Sequence, residues 1–250
     1  MIKTGLIGYG YWGKIIESKL DSLSDKIFIQ TSKNYDPSKF SEVDWIFIAT
    51  PFKTHYDIAK DCIQKQKNVF IEKPFCATVS QGEELISLAK QNNVSLCIDN
   101  VFLLRNELAY IKDQTISSIK FYWHKNGPFN DNLVNDLLYH DLYILTESVG
   151  YKKVSNINVS VNEKDILAFS VLYGDIKVDI DYNRISPGEK TKIIYIDGLP
   201  IDFSTTNEDP LKLFIDNCIN SKMDFEANHT LNLHVTALMK DISNYLLKNS

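Results

Sequence analysis

Lys3-Thr4-Gly5-Leu6-Ile7-Gly8-Tyr9-Gly10-Tyr11-Trp12-Gly13 begins as a short apolar run and ends on three glycines spaced G-x-G-x-x-G. The residues that follow, 14–20, have helical character. A strand, this glycine turn and a helix in succession form the context in which the spacing signals dinucleotide binding. Gly8 permits the tight turn, Gly10 lets the backbone approach a pyrophosphate, and Gly13 lets the helix pack closely on the strand. The start of the helix then offers free N–H groups and a positive dipole to phosphate. Tyr11 and Trp12 lie within the turn and join the glycines as cofactor-binding candidates.

Outward from the turn, strands and helices alternate for a hundred residues. Strands are expected at 27–30, 44–51, 69–74 and 95–98, and helices at 56–66 and 80–91. That alternation predicts a doubly wound parallel sheet, a Rossmann-type NAD(P)-binding domain over residues 1–100. The second strand ends in Thr31-Ser32-Lys33-Asn34, with no acid to meet a ribose 2′-hydroxyl. Ser32 and Lys33 suit a 2′-phosphate better, so NADP is slightly preferred over NAD.

The run Val69-Phe70-Ile71-Glu72-Lys73-Pro74 carries three apolar residues into an acid, a base and a proline. Proline has no N–H and cannot continue a sheet ladder, which places Glu72 and Lys73 at the strand's carboxyl edge. Ligands of open α/β sheets bind at that edge. A partly desolvated lysine there is chemically useful, although a surface ion pair reads the same way in isolation.

Composition sets the outer bounds. The chain has 250 residues, 44% hydrophobic and 24% charged, with a formal net charge of -5 and both signs interspersed. That fits one large or two modest globular domains. It offers no basic block for nucleic acid or an anionic membrane. No apolar stretch approaches the ~20 residues of a membrane span, and the N-terminus does not read as a signal peptide. Cys62, Cys76, Cys97 and Cys218 are scattered among apolar segments, which suggests reduced thiols in a cytoplasmic protein. No metal-type Cys/His cluster is visible.

The second half opens with a strand at 116–124 and a turn at Lys125-Asn126-Gly127-Pro128. A helix is expected over 132–149. Asp136 and His140 stand four apart, so they project from one face and a carboxylate can orient an imidazole. Runs at 154–161, 166–172, 176–182 and 192–196, with turns at Tyr173-Gly174-Asp175 and Asp197-Gly198, complete a mostly antiparallel, open-faced sheet of five or six strands. Asp209-Pro210 opens a helix. The final helix, 230–247, carries an apolar stripe that reads as core, with His229 and His234 on or beside it.

These motifs together resemble the Gfo/Idh/MocA oxidoreductases, the group of glucose–fructose oxidoreductase and inositol dehydrogenase. The resemblance rests on the glycine turn, on Ile48-Ala49-Thr50-Pro51 with His55, on Glu72-Lys73-Pro74, on the segment 95–105, and on Asp136-x-x-x-His140. It implies a Rossmann domain followed, over 101–250, by a substrate and oligomerisation domain, with the C-terminal helix packing back on the first. It implies hydride transfer between nicotinamide and the carbinol or carbonyl carbon of a sugar or nucleotide sugar, in a homodimer or homotetramer. Catalytic roles fall on His140 as general acid/base, supported by Asp136 and Lys73. Thr50, Pro51, His55, Glu72 and Lys73 join the cofactor-binding set. Position alone suggests Asn100, Arg105, Trp123, Lys125, Asn126 and Tyr139 as substrate contacts. The chain departs from the family in having Leu137-Leu138-Tyr139 inside the Asp/His motif and in being short for the group. A non-catalytic NADP-sensing protein, or a reductase of a non-sugar substrate, are the alternatives.

Overall fold

The computed structural model describes residues 1–111, 115–126, 132–188, 190–206 and 208–248. The part of the expected turn at Gly127-Pro128 lies outside the described residues. The chain forms two compact units, Met1–Val101 with Asp209–Thr236, and Phe102–Glu208 with Ala237–Ser250. The expected boundary at residue 100 falls beside the first crossing, while residues 209–236 group with the first unit.

The first unit holds β1 (Lys3–Ile7), α1 (Tyr11–Leu20), β2 (Asp25–Gln30), β3 (Trp45–Ile48), α2 (His55–Gln64), β4 (Asn68–Ile71), α3 (Val79–Gln91) and β5 (Leu96–Ile98). All five strands are parallel, in the order β2-β1-β3-β4-β5. Every residue of β3 and β5 is buried, as both faces are covered. Ile46, Ile48, Val69, Ile71 and Leu96 pack with Ile58, Ile63 and Leu85 of the helices. Strand order reverses at β1, between β2 and β3, so the ligand crevice of such a sheet lies outside the carboxyl ends of β1 and β3. β4 stops at Ile71, three residues before the proline that was expected to end it. Glu72 adds one more ladder bond, its N–H donating to the Ile48 carbonyl at 3.0 Å. α5 (Pro210–Ile219) is capped by Asp209, whose carboxylate accepts from the Lys212 N–H and pairs with Lys19 at 2.8 Å.

The second unit holds β6 (Ser118–His124), α4 (Tyr139–Val149), β7 (Val154–Asn162), β8 (Ile166–Tyr173), β9 (Ile176–Asn183), β10 (Thr191–Ile196) and β11 (Leu199–Asp202). The sheet order is β11-β10-β6-β9-β8-β7, antiparallel except for the β6–β9 pair. β11 was not anticipated. It contains Pro200, which an edge strand paired only with β10 tolerates. Alternation places Ile119, Phe121 and Trp123 of β6 on the buried face, and Lys192, Ile194 and Ile196 of β10 likewise. α4 lies on that face, held by Trp123 and Tyr182 through Asp141. The stretch before α4, Val134–Leu138, is a π-helical turn where an unbroken α-helix was expected. The last helix, α6 (Phe225–Lys248), begins in the first unit and ends in the second. Among the described residues, no helix is long and apolar enough to cross a membrane.

Candidate functional site

The glycine turn is shaped by the backbone around it. Gly8 has φ 105°, and a Cβ there would lie 2.3 Å from the Ala49 carbonyl oxygen. A Cβ on Gly13 would lie 1.9 Å from the Gly8 carbonyl oxygen. A Cβ on Gly10 would meet nothing within 4 Å. The protein itself therefore demands glycine at 8 and 13, while the room over Gly10 is open to a ligand. Gly10 is the N-cap of α1 and supplies no side-chain cap. The first intrahelical bond runs from the Lys14 N–H to the Gly10 carbonyl at 3.1 Å, so the Tyr11, Trp12 and Gly13 amides have no partner within the helix. Tyr11 and Trp12 stand edge to face at 5.5 Å and are largely exposed. An open glycine followed by amides without an intrahelical partner at a helix start fits a pyrophosphate.

At the end of β2, Thr31, Ser32, Lys33 and Asn34 are exposed. Asn34 Oδ1 accepts from the Thr31 N–H and hydroxyl, which folds this loop back on itself. Asp36 is occupied elsewhere. Its carboxylate accepts from the Ser38 N–H at 3.0 Å and the Ser38 hydroxyl at 2.6 Å, bonds that hold it below the usual carboxylate range. Its backbone N–H and C=O both bond the Gln30 amide. The hydroxyl of Ser32 and the amine of Lys33 are thus what this edge presents to a ribose.

Thr50 and Pro51 follow β3 directly. His55, two per cent exposed, sits behind them with Nε2 2.7 Å from the Thr50 carbonyl and Nδ1 2.7 Å from the Pro74 carbonyl. Both ring nitrogens are thus directed at backbone, and His55 ties the loop after β3 to the loop after β4. That geometry corrects its expected place among direct cofactor contacts. Glu72 is buried at the end of β4, and Asp99 at the end of the adjacent β5. Burial pushes both carboxyls up, and for Glu72 the nearby Asp99 charge adds to the effect while Lys73 opposes it. Glu72 Oε1 is buried with no hydrogen-bond partner among the described residues. Sequence reading missed Asp99, which forms an acid pair with Glu72 beside the half-buried Lys73.

In the second unit His140 is buried, and its Nδ1 lies 3.0 Å from the Tyr143 hydroxyl. That hydroxyl accepts the Phe102 N–H at 3.2 Å. The imidazole stands edge-on to Phe102, with centroids 4.8 Å apart, and parallel to Trp123 at 6.2 Å and 13°. Asp136, in the π-helical turn, receives Arg184 Nη2 at 2.5 Å. Neither Tyr143 as a partner of His140 nor Arg184 as a partner of Asp136 was foreseen. The next residue, Asp141, is fully buried and accepts from the Tyr182 hydroxyl at 2.6 Å and Trp123 Nε1 at 3.2 Å, with Lys192 Nζ at 3.6 Å. Burial pushes Asp141 up to about 6 and Lys192 down to about 7, each against the pull of its partner. A lysine on the inner face of an alternating strand was visible in Thr191-Lys192-Ile193-Ile194-Tyr195-Ile196 and is the signal that would have found it.

The expected substrate contacts divide. Asn100 is fully buried, and its amide is spent on Asn228 and Asn232 at 2.7–3.2 Å, which removes it from substrate contact. Arg105 is buried, grips Glu107 through Nε and Nη2 at 3.0 and 2.6 Å, and bonds the Thr205 carbonyl at 2.7 Å. It holds a loop and is not a displayed guanidinium. Tyr139 has no exposed surface and packs edge to face on Tyr143. Trp123 is buried beside His140. Lys125 is half-buried and Asn126 exposed at the end of β6. His229, also considered, bonds the Leu96 carbonyl at 2.7 Å from within the core.

Comparison with known proteins agrees with this fold. A family model described as the oxidoreductase family, NAD-binding Rossmann fold (GFO_IDH_MocA), matches residues 17–100. UDP-N-acetylglucosamine 3-dehydrogenase of Acidithiobacillus ferrooxidans is 24% identical over 163 residues, 56% of this chain and 52% of that protein. The NADP(+)-dependent scyllo-inositol 2-dehydrogenase IolW of Bacillus subtilis is 28% identical over 146 residues, 48% of this chain and 40% of that protein. The chain thus spans about half the length, or less, of these curated relatives. The solved structure of the WlbA (WbpB) dehydrogenase from Thermus thermophilus, in complex with NAD and alpha-ketoglutarate, aligns at a TM-score of 0.80 and 14% identity. It covers 96% of this chain and 94% of that one, and at this identity the likeness is one of fold.

Proposed function

The chain belongs to the Gfo/Idh/MocA oxidoreductase family, and from that premise we propose that it is an NAD(P)-dependent dehydrogenase or reductase of a sugar or nucleotide sugar, acting at a CH–OH carbon. The observation that carries the reading is the open space over Gly10 at the uncapped start of α1, directly after β1. Gly8, Gly10 and Gly13 with the Tyr11–Gly13 amides hold the pyrophosphate, and Ser32 and Lys33 meet the adenosine ribose, with NADP preferred. Thr50, Pro51 and Glu72 line the same sheet edge. When bound, the dinucleotide supplies the two-electron exchange.

The remaining chemistry is assigned to the chain's own side chains. His140 takes or gives the hydroxyl proton, a role typically worth ~10²–10⁴-fold in rate. Its ring is oriented by the Tyr143 hydroxyl and by Phe102 and Trp123. Lys73 donates a hydrogen bond to the reacting oxygen and stabilises charge that develops there. Asp136, paired with Arg184, positions the turn that leads into His140. The names of the dehydrogenase relatives support the sugar and polyol class.

The test is direct. Purified protein is mixed with NADP⁺ or NADPH and a panel of sugars, polyols and nucleotide sugars, and nicotinamide absorbance is followed. Turnover with one of them, lowered about 10²–10⁴-fold in His140→Ala with dinucleotide binding retained, is expected. Unchanged turnover in His140→Ala removes the acid/base assignment. Dinucleotide binding with no turnover on any substrate replaces the enzyme by a sensing role.

A further inference from the structure

We propose that the buried Lys192–Asp141 pair is a positioning element for His140, because the two rings nearest the Lys192 ammonium, Trp123 and Phe102, also pack on the imidazole. The inference deepens the reading of His140 as acid/base and rests on it.

The arrangement starts from strand alternation. Lys192 shares the inner face of β10 with Ile194 and Ile196 and has no exposed surface. Its register partner on β6 is Trp123. Nζ lies 3.6 Å from the centre of the Trp123 ring, 3.7 Å from that of Phe102 and 5.6 Å from that of Phe203. Among the described residues it has no hydrogen-bond acceptor, and its carboxylate neighbour, Asp141 Oδ1, is 3.6 Å away. Asp141 in turn accepts the Trp123 indole N–H. Trp123 is therefore pinned twice, by charge on its ring face and by a carboxylate at its edge. Phe102 is pinned by the same ammonium. These are two of the three rings against which His140 packs, the third being Tyr143 at 5.6 Å, and His140 directly precedes Asp141.

A core role alone does not account for the pair. Charges buried without full hydrogen bonding are less stabilising than apolar side chains of equal volume. A methionine on β10 would fill the space, but it would leave Trp123 and Phe102 without the cation that fixes them. The groups acting on the pair are Tyr182 from β9, whose hydroxyl Asp141 accepts, and Lys190 and Arg105, whose positive charges act on Lys192, while Tyr143 from α4 faces His140 itself. Removing either member of the pair discharges the other, since neither charge is sustained alone at full burial. The pair thus acts on His140 as a unit.

The experiment uses the full chain labelled with [¹³Cε1]histidine, the His140 resonance being assigned from His140→Gln. Lys192→Met, Asp141→Asn and the double variant are titrated by NMR and melted. Each single variant is expected to move the His140 midpoint by at least about half a pH unit. The double variant moves it no further than either single one, and its melting temperature equals or exceeds that of the parent. An unmoved His140 midpoint in folded variants overturns the proposal, as do additive shifts. Trp123→Phe provides a second route if the charge variants do not fold. It keeps a ring beside His140, loses the bond to Asp141, and is expected to shift the same midpoint, whereas an unmoved midpoint again overturns the proposal. The titration needs no substrate, so a shift in protein that turns nothing over supports the pair and counts only against the acid/base reading.

Discussion

A Cβ on Gly13 would sit 1.9 Å from the carbonyl oxygen of Gly8, far inside the contact distance of a backbone atom that cannot move aside. Gly10, between them, has φ -85° and free space where a Cβ would go. The turn therefore separates two demands on glycine, one from the fold and one from the ligand. Gly13→Ala is expected to lower the melting temperature by several degrees, as steric strain at a packed turn does (about 1–3 kcal/mol). Gly10→Ala is expected to melt within about 0.5 kcal/mol of the parent. It should nonetheless bind dinucleotide at least about tenfold more weakly, a loss of about 1.4 kcal/mol. Calorimetry and dinucleotide titration on the two variants decide it; equal binding by Gly10→Ala would sink the turn as the phosphate site.

Burial lifts Glu72 and Asp99 above the ordinary carboxylate range. A carboxyl whose folded pKa is raised binds more protons folded than unfolded, so its contribution is fully present at low pH. It is lost as pH rises from the unfolded value near 4.5 to the folded one of about 8 for Glu72. Glu72→Gln cannot lose a proton. It is expected to gain stability relative to the parent as pH goes from 5 to 8.5, by on the order of a few kcal/mol. Urea midpoints of the two proteins across that range make the comparison, and parallel curves would show that Glu72 is already ionised in the folded chain.

The features legible in the sequence are local ones. Apolar runs ending beside glycine or proline marked β1, β3 and β4, because a strand covered on both faces has no polar residues to alternate. The glycine turn was readable since each glycine answers to backbone within one strand and one helix. Lys73 and His140 stood out by residue type. Partners distant in the chain did not. Arg184 meets Asp136 across 48 residues, and the i,i+4 spacing of Asp136 and His140 said nothing of it. Lys192 shares the parity of Ile194 and Ile196, which points it inward, but the strand pattern alone does not tell a buried charge from one on the open face. Asn100 was taken for a ligand because it ends a strand at the binding edge. Its partners, Asn228 and Asn232, lie far along the chain on the last helix, and nothing local to Asn100 points to them.

Asn228 acts as a substitute strand on the edge of the sheet. Its amide donates to the Ile98 carbonyl and accepts the Ile98 N–H, both at 3.0 Å, so the last strand, β5, does not end in bare backbone. It also donates to Asn100 Oδ1 at 2.8 Å. Asn228→Ala leaves both Ile98 groups buried and unpaired, which costs about 1–3 kcal/mol for each group left unsatisfied. The melting temperature should fall by at least about 2–4 °C for each kcal/mol lost. Amide exchange at Ile98 should accelerate while exchange in β1 and β3 stays slow. A melting temperature unchanged within error would mean that water or a neighbouring side chain replaces the amide.

In the proposed reading, cofactor choice turns on Lys33. The Asn34 carboxamide draws the Thr31 N–H and hydroxyl into the loop after β2, leaving the exposed Ser32 and Lys33 as the groups free of that loop bond. An ammonium beside a 2′-phosphate adds a charge-assisted contact worth roughly 1.5–3 kcal/mol, and beside a 2′-hydroxyl it adds little. Lys33→Ala is therefore expected to weaken NADP⁺ binding about tenfold or more and to change NAD⁺ binding less than about twofold. Lys33→Asp, which installs the acid that an NAD site carries at the end of this strand, is expected to reverse the order of preference. Raising salt from 50 to 300 mM should erode the NADP⁺ affinity of the parent more than that of Lys33→Ala, since the contact is exposed and screened. Equal affinities of the parent for the two dinucleotides would remove the preference, and a loss of both affinities in Lys33→Ala would assign the lysine to a part of the cofactor that the two share.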